Sequence, residues 1–140
     1  MEHHFLIHRN KGFTLLELLI SISIIGILIA AGVASYSTAQ KKSRDSRRMS
    51  DLKAIQGGFE QYNADFNGNY PVGCALATKY LPAGFPTDPK TSTSYASGGT
   101  CNATSYCICA ALESTTGNAT AATCPPSYGS GQFFCVANLQ

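Results

Sequence analysis

A long helix is the first element that the pattern of hydrophobic positions predicts. Residues 13–36 are apolar nearly all round, as in a helix that crosses a membrane or lies inside an assembly. Further along, apolar residues recur at steps of three and four, which places them in one stripe on a helix with a period of about 3.6 residues. This stripe should pack against a globular part of the chain, and it consists of Met49, Leu52, Ile55, Phe59, Tyr62 and Phe66.

The helix is predicted to continue to about Phe66, because no proline interrupts residues 13–66. A strong stop signal follows, with Gly68 at the cap and Pro71 soon after it. Gly26 and Gly32 weaken the first half of the helix. The helix could be regular there, with the glycines used for packing, or it could be locally unwound.

The rest of the chain predicts a small antiparallel sheet with long loops. Residues 105–112 form the best strand and residues 132–139 the second, because both are short apolar runs between polar, turn-forming segments. The polar stretch 113–131 between them is expected to be a loop, and a short strand is expected near residues 94–96. One long helix packed against a small sheet predicts the α+β class.

The cysteines predict cross-links in an oxidising compartment. All six follow residue 73, in a region that is small and rich in loops. A metal site is disfavoured, because no Cys-x-x-Cys pair occurs and the three histidines all precede residue 9. If the two strands pair about a centre near residue 121, Cys107 and Cys135 lie opposite each other and should be bonded. The other pairings stay open among Cys74, Cys101, Cys109 and Cys124.

Charge is sparse and concentrated just after the apolar segment. Charged residues make up 13% of the chain and the net charge is +2, but residues 41–53 hold six basic and two acidic side chains. We expect this run to be a solvated helix surface that pairs with neighbouring subunits, with anionic lipid headgroups as the second interpretation and DNA as the least favoured. The basic residues expected to face outward or toward neighbouring subunits are Lys42, Arg44, Arg48 and Lys53.

A specific motif lies at the start of the apolar segment, where Lys11-Gly12 is followed by Phe13-Thr14-Leu15-Leu16-Glu17. It resembles the leader junction of type IV prepilins and pseudopilins. The resemblance implies that a prepilin peptidase cuts between Gly12 and Phe13, and that the new amine of Phe13 is methylated. It also implies that Glu17 guides docking by pairing with the Phe13 amine of a neighbouring subunit.

The physical chemistry of Glu17 points the same way. It is the only charge in residues 13–34. A carboxylate inside an apolar helix costs a few kcal/mol to bury, so such a residue is functional by default and needs a positive partner.

The resemblance also implies an organisation and a function. Residues 1–12 would be the leader, residues 13–36 the transmembrane or filament-core half of the helix, residues 37–68 its amphipathic half, and residues 69–140 a globular β head. The expected role is a structural subunit of a type IV pilus, anchored in the membrane before assembly and then part of an extracellular filament. Its partners would be copies of itself, the prepilin peptidase, an inner-membrane assembly platform and the membrane.

Two alternatives stay open beside the pilus. One is a pseudopilin of a type II secretion system, because Tyr70-Pro71 and the segment 86–89 resemble its major subunit, which commonly binds calcium where this chain has cysteines. The other is a membrane-anchored binding module. An enzyme is not expected, because the processed chain would have no histidine and few carboxylates. No catalytic residue, cofactor, metal site or specific nucleic acid is predicted.

Overall fold

The computed structural model of the chain describes residues 12–74 and 79–139. Residues 1–11 of the expected leader therefore lie outside the described residues. The chain divides into two compact units between Ser37 and Thr38.

A single helix, α1, spans Leu15–Asp65, so the prediction of one long N-terminal helix is confirmed. It is continuous through Gly26 and Gly32. The helix ends in a Schellman-type turn, in which the Gly68 N–H donates to the Asn63 carbonyl oxygen at 2.9 Å. The left-handed cap position is taken by Asn67 (φ 53°), one residue before the predicted Gly68 (φ 85°).

In the first unit, α1 presents its apolar side chains on every side. The large hydrophobic residues from Leu15 to Val33 are all exposed in the single chain. This part of α1 is long and apolar enough to cross a membrane by length and composition. A helix that is apolar all round must be covered by lipid or by other protein.

The second unit contains a five-stranded antiparallel sheet in the order β1-β2-β5-β3-β4. Its strands are β1 (Thr100–Cys101), β2 (Tyr106–Ala111), β3 (Gly117–Ala119), β4 (Tyr128–Gly131) and β5 (Phe133–Ala137). The two predicted strands are therefore confirmed as β2 and β5.

Two expectations about the remaining backbone are wrong. The stretch 113–131 is not only a loop, because β3 and β4 lie within it. Glycine and polar residues predict a loop, but Gly117 in β3 allows its backbone to lie directly against the backbone of Phe133, where a side chain would collide. The segment expected to be a strand near residues 94–96 enters a 3₁₀ helix, Tyr95–Gly98. The Ser94 side chain caps it by accepting a hydrogen bond from the Ala96 N–H.

The core lies between α1 and one face of the sheet. Leu52, Ile55 and Phe59 from the predicted stripe are fully buried. The Phe59 ring lies 4.5 Å from the Tyr106 ring of β2, measured between centroids. Further buried residues complete the core, namely Tyr70, Leu81, Tyr95, Ile108, Ala110 and Val136. The stripe is less buried toward the end of α1, where Phe66 is partly exposed and stacks on Tyr62.

Three disulfides cross-link the second unit, which confirms that the cysteines are bonded. They join Cys74 to Cys101, Cys107 to Cys124, and Cys109 to Cys135. The predicted Cys107–Cys135 bond is wrong, because Cys107 lies opposite Ala137 and Cys109 lies opposite Cys135. The true register differs from the predicted one by two residues along one strand, and a shift of two keeps every side chain on its predicted face.

Candidate functional site

The expected cleavage position lies outside the helix. Gly12 and Phe13 precede α1, and the Phe13 side chain is 86% exposed. Both residues lie outside regular secondary structure and are exposed in the single chain. Lys11, on the other side of the junction, lies outside the described residues.

Glu17 forms a capping box with Thr14 at the start of α1. The Thr14 N–H and hydroxyl donate to Glu17 Oε2 at 2.9 Å and 2.8 Å, and the Glu17 N–H donates to the Thr14 hydroxyl at 3.2 Å. These bonds satisfy backbone donors that a helix start leaves unpaired. Among the described residues, none of the bonds to Glu17 uses Oε1. The sequence holds the Thr-x-x-Glu signal for this box, and the interpretation of Glu17 as a docking residue overlooked it.

In the second unit, Arg48 lies at the centre of a buried charge cluster. Its side chain is only 3% exposed and contacts three carboxylates. Arg48 Nε donates to Asp88 at 2.6 Å, and Nη1 donates to Asp45 and to Glu113 at 2.9 Å each. Because Asp88 and Glu113 lie in separate loops, Arg48 ties both loops to α1.

Asp45 anchors the chain that follows β2. It is fully buried, and its carboxylate accepts hydrogen bonds from the backbone N–H groups of Glu113 (2.8 Å), Ser114 (2.7 Å) and Thr115 (3.0 Å). The hydroxyls of Ser114 and Thr115 donate to it as well. A buried charge is stable only when it is paired and fully hydrogen-bonded, and Asp45 meets both conditions.

Two further basic side chains complete the cluster around Glu113. Arg44 donates to both carboxylate oxygens of Glu113, at 2.8 Å and 2.7 Å, and Lys90 Nζ donates to it at 3.2 Å. The cluster therefore holds three positive and three negative groups and is electrically neutral: Arg44, Arg48, Lys90, Asp45, Asp88 and Glu113. The expectation that Arg44 and Arg48 face outward is wrong, because these carboxylates draw both side chains inward.

The cluster shifts the titration of its carboxyl groups. The hydrogen bond from Arg48 lowers the pKa of Asp88 to about 2, against the opposing effect of burial. Burial alone would raise the pKa of Asp45, but the hydrogen bonds from residues 113–115 hold it well below its ordinary value. The hydrogen bond from Arg44 likewise lowers the pKa of Glu113.

We expect the second unit to lose stability in acid because of these shifts. A carboxyl group whose pKa is lower in the folded state stabilises the fold fully above its unfolded pKa, and this contribution is lost as pH falls toward the folded pKa. Urea unfolding of the full chain in detergent, followed by tyrosine circular dichroism, should show the free energy of unfolding falling between about pH 5 and pH 2. In the variant Asp88→Asn, the loss of free energy of unfolding over this pH range should be smaller by about 2 kcal/mol.

Asp51→Asn is the matched control for this acid profile. Burial raises the pKa of Asp51, so its charge does not favour the fold and its removal should leave the acid loss in place. An Asp88→Asn profile as steep as that of the parent chain would contradict the assignment.

A second polar cluster joins the end of α1 to the sheet. Glu60 accepts hydrogen bonds from the hydroxyls of Tyr70 (3.1 Å) and Tyr106 (3.0 Å) and from the Leu139 N–H (3.3 Å). Burial, together with the neighbouring Glu60 carboxylate, raises the pKa of Tyr70 to about 12. These tyrosines therefore stay protonated and donate to Glu60 at any physiological pH.

The residues closest to a metal-binding arrangement are three cysteines. The sulfur atoms of Cys107, Cys109 and Cys124 lie within 4.8 Å of one another. All three belong to disulfides, and a metal ion binds the thiolate form of cysteine.

Comparison with known proteins finds similarity that is concentrated at the N-terminus. Residues 7–33 match the model of the prokaryotic N-terminal methylation motif. The type II secretion system core protein G of Klebsiella pneumoniae is 36% identical over 64 residues, which cover 46% of this chain and 45% of that protein. The type IV major pilin of Myxococcus xanthus is 45% identical over 47 residues, covering 34% and 21%.

A longer match is to the type IV wide pilus major component of Thermus thermophilus, which is 35% identical over 79 residues, covering 54% of this chain and 60% of that protein. The chain thus spans less than two thirds of the length of the curated relatives it matches, and about half or less of the first ones. No solved structure matches it at a significant level.

Proposed function

Because the chain belongs, by its N-terminal motif and its helix-and-sheet fold, to the family of type IV pilins and pseudopilins, we propose that it is a structural subunit of a type IV pilus. Its activity would be self-assembly rather than catalysis. Processed subunits would wait in the membrane and then join a filament whose core is made of α1 segments from many copies. The presence of Glu17 favours an abundant subunit over a rare one at the tip.

One observation carries this proposal, namely the apolar surface of α1 in the first unit. Every large side chain from Leu15 to Val33 is exposed in a single chain. Apolar area removed from water contributes about 25 cal/mol per Å², so the uncovered helix strongly favours either a bilayer or close packing with other copies. When a subunit moves from the membrane into a filament, contacts with other helices replace the contacts of α1 with lipid.

Glu17 is suited to direct this exchange. One carboxylate oxygen holds the capping box with Thr14, and Oε1 is left to accept from the processed amine of Phe13 on a neighbouring subunit. A carboxylate that is isolated in lipid and paired in the filament would favour assembly in the correct register.

The second unit would form the outer surface of the filament. Three disulfides cross-link its strands and loops, and a neutral charge cluster holds two of its loops onto α1. Disulfides persist in oxidising, extracellular conditions and stabilise a unit with a small core.

A pseudopilin of a type II secretion system is the second candidate. The similarity to core protein G supports it, and so does Asp88, which lies in the segment 86–89 that resembles this class. A pseudopilin would use the same processing and the same helix, but in a short assembly that stays in the cell envelope.

An intact mass of protein sheared from the cell surface tests the proposal. We expect the mass of residues 13–140 plus one methyl group, less the six hydrogens lost on forming three disulfides. Unprocessed protein found only in the membrane fraction would overturn the pilus proposal in favour of an anchored module. Processed protein confined to the envelope would instead identify a pseudopilin.

A further inference from the structure

The charge cluster leaves a distinct set of basic side chains on α1. Arg44 and Arg48 are neutralised within it. Among the ion pairs of the described residues, none includes Lys41, Lys42 or Lys53, and all three side chains are exposed. The basic run of the sequence is thus reduced to these three lysines and to Arg47, which is 69% exposed and is paired only with Asp51, at 3.9 Å.

The acidic residues of a second copy are poor partners for these lysines. Of the eight Asp and Glu residues, only Glu2 lies outside the described residues, and it belongs to the expected leader. Each of the other seven already accepts a hydrogen bond within its own chain, and the remaining oxygen of Glu17 is assigned above to the Phe13 amine of a neighbouring subunit. They are Glu17, Asp45, Asp51, Glu60, Asp65, Asp88 and Glu113.

Lys41 and Lys42 follow the end of the apolar segment closely. They come five and six residues after Tyr36, which is about 8–9 Å along a helix. A lysine near the end of a membrane-spanning helix extends its ammonium group to the headgroup layer, and each such lysine attracts an anionic surface.

We propose that Lys41 and Lys42 bind the headgroups of anionic phospholipids at the membrane surface where the apolar segment ends. This inference rests on the membrane-stored state of the proposed function. The two lysines hold the subunit against the lipid surface before assembly, and they exchange lipid phosphate for solvent when the subunit leaves the membrane.

Duplex DNA fits this surface less well. Proteins that bind DNA through its phosphates commonly make about six to ten such contacts, and affinity falls steeply with fewer. Two lysines beside a membrane span supply too few contacts for a duplex, but they are enough to select the charged lipids that already surround the helix.

Spin-labelled lipids test the proposal on the full processed chain. The chain is reconstituted in phosphatidylcholine bilayers, and its preference for labelled phosphatidylglycerol over labelled phosphatidylcholine is measured by electron spin resonance. We expect Lys41→Gln combined with Lys42→Gln to reduce this preference at least about fivefold, and added salt to reduce that of the parent chain.

Lys53→Gln is the matched control. Lys53 is also exposed and forms no ion pair among the described residues, but it lies eleven residues beyond Lys42, about 16 Å along the helix and farther than the screening length of about 8–10 Å. Its removal should leave the lipid preference unchanged.

Several results would overturn the proposal. They are an unchanged preference in the double variant, an equal loss in Lys53→Gln, or duplex DNA binding by the reconstituted chain that depends on Lys41 and Lys42. The yield of sheared filaments from cells that carry the double variant separates this inference from the proposed function. Processed filaments that form without the lipid preference would refute the lipid site alone.

Discussion

Replacing Arg48 with methionine is expected to lower the free energy of unfolding of the second unit by about 3–5 kcal/mol. The guanidinium is 3% exposed and contacts Asp45, Asp88 and Glu113. Without it, the loop that contains Asp88 loses its ion pair with α1, and three carboxylates are left close together with only Arg44 and Lys90 to balance them. A typical domain has about 5–15 kcal/mol of stability in total, so this loss is a large share.

Arg47→Met provides the matched control on the same helix. Arg47 is 69% exposed, and its one ion pair, with Asp51, is 3.9 Å long. Exposed pairs contribute about 0–1 kcal/mol, so this variant should unfold almost as the parent chain does. Urea unfolding of the full chain in detergent, followed by tyrosine circular dichroism, compares the two variants with the disulfides intact.

A small loss in Arg48→Met would mean that the cluster does not hold the loops. The alternative is that the disulfides and the core suffice, as when a buried ion pair is replaced by a well-packed apolar residue. Amide hydrogen exchange at residues 113–115 distinguishes these cases, because their N–H groups bond to Asp45 and should exchange faster if the loop is released.

Local hydrophobic spacing predicts the helix and the face that it buries. Leu52, Ile55 and Phe59 are fully buried, as their spacing indicates, because a helix repeats its faces at fixed intervals along the sequence. The two main strands follow for the same reason, since short apolar runs need the cover of a core. These features depend on neighbouring residues, and the sequence contains them directly.

The register of the sheet depends instead on distant contacts. Asp45 accepts hydrogen bonds from the backbone N–H groups of residues 113–115, which follow it in the chain by 68 to 70 positions. The pairing of β2 with β5 is likewise a contact between distant residues, and it places Cys135 opposite Cys109. No local pattern records it, so the prediction of a Cys107–Cys135 bond is displaced by two residues.

The charge cluster could not be predicted from the sequence for a related reason. A run of six basic residues on one helix is typical of a solvated surface, and Lys42 and Lys53 do face solvent. Of the three carboxylates, Asp45 lies on α1 three residues before Arg48, but Asp88 and Glu113 lie in distant loops, where no local pattern marks them as partners. The capping box is different, because Thr14 and Glu17 are three residues apart and their pattern is visible in the sequence.

Replacing Glu17 with glutamine is expected to reduce the yield of assembled filaments about a hundredfold while the amount of processed subunit in the membrane stays the same. Glutamine can also close a capping box, so the helix start is kept and only the charge is lost. The neighbouring Phe13 amine would then be an unpaired charge among apolar helices, at a cost of about 3 kcal/mol per docking event, which is about a hundredfold in an equilibrium constant.

Thr14→Ala is the matched control, because it removes the cap and keeps the charge. The two bonds that involve the Thr14 hydroxyl are lost, one to the Glu17 carboxylate and one from the Glu17 N–H, which costs about 1 kcal/mol of helix stability, but the carboxylate can still pair with an amine. Sheared filaments and membrane-bound subunit are quantified by immunoblot for both variants. If Thr14→Ala abolished filaments while Glu17→Gln assembled normally, Glu17 would act through its own helix start, and its charge would play no part in docking.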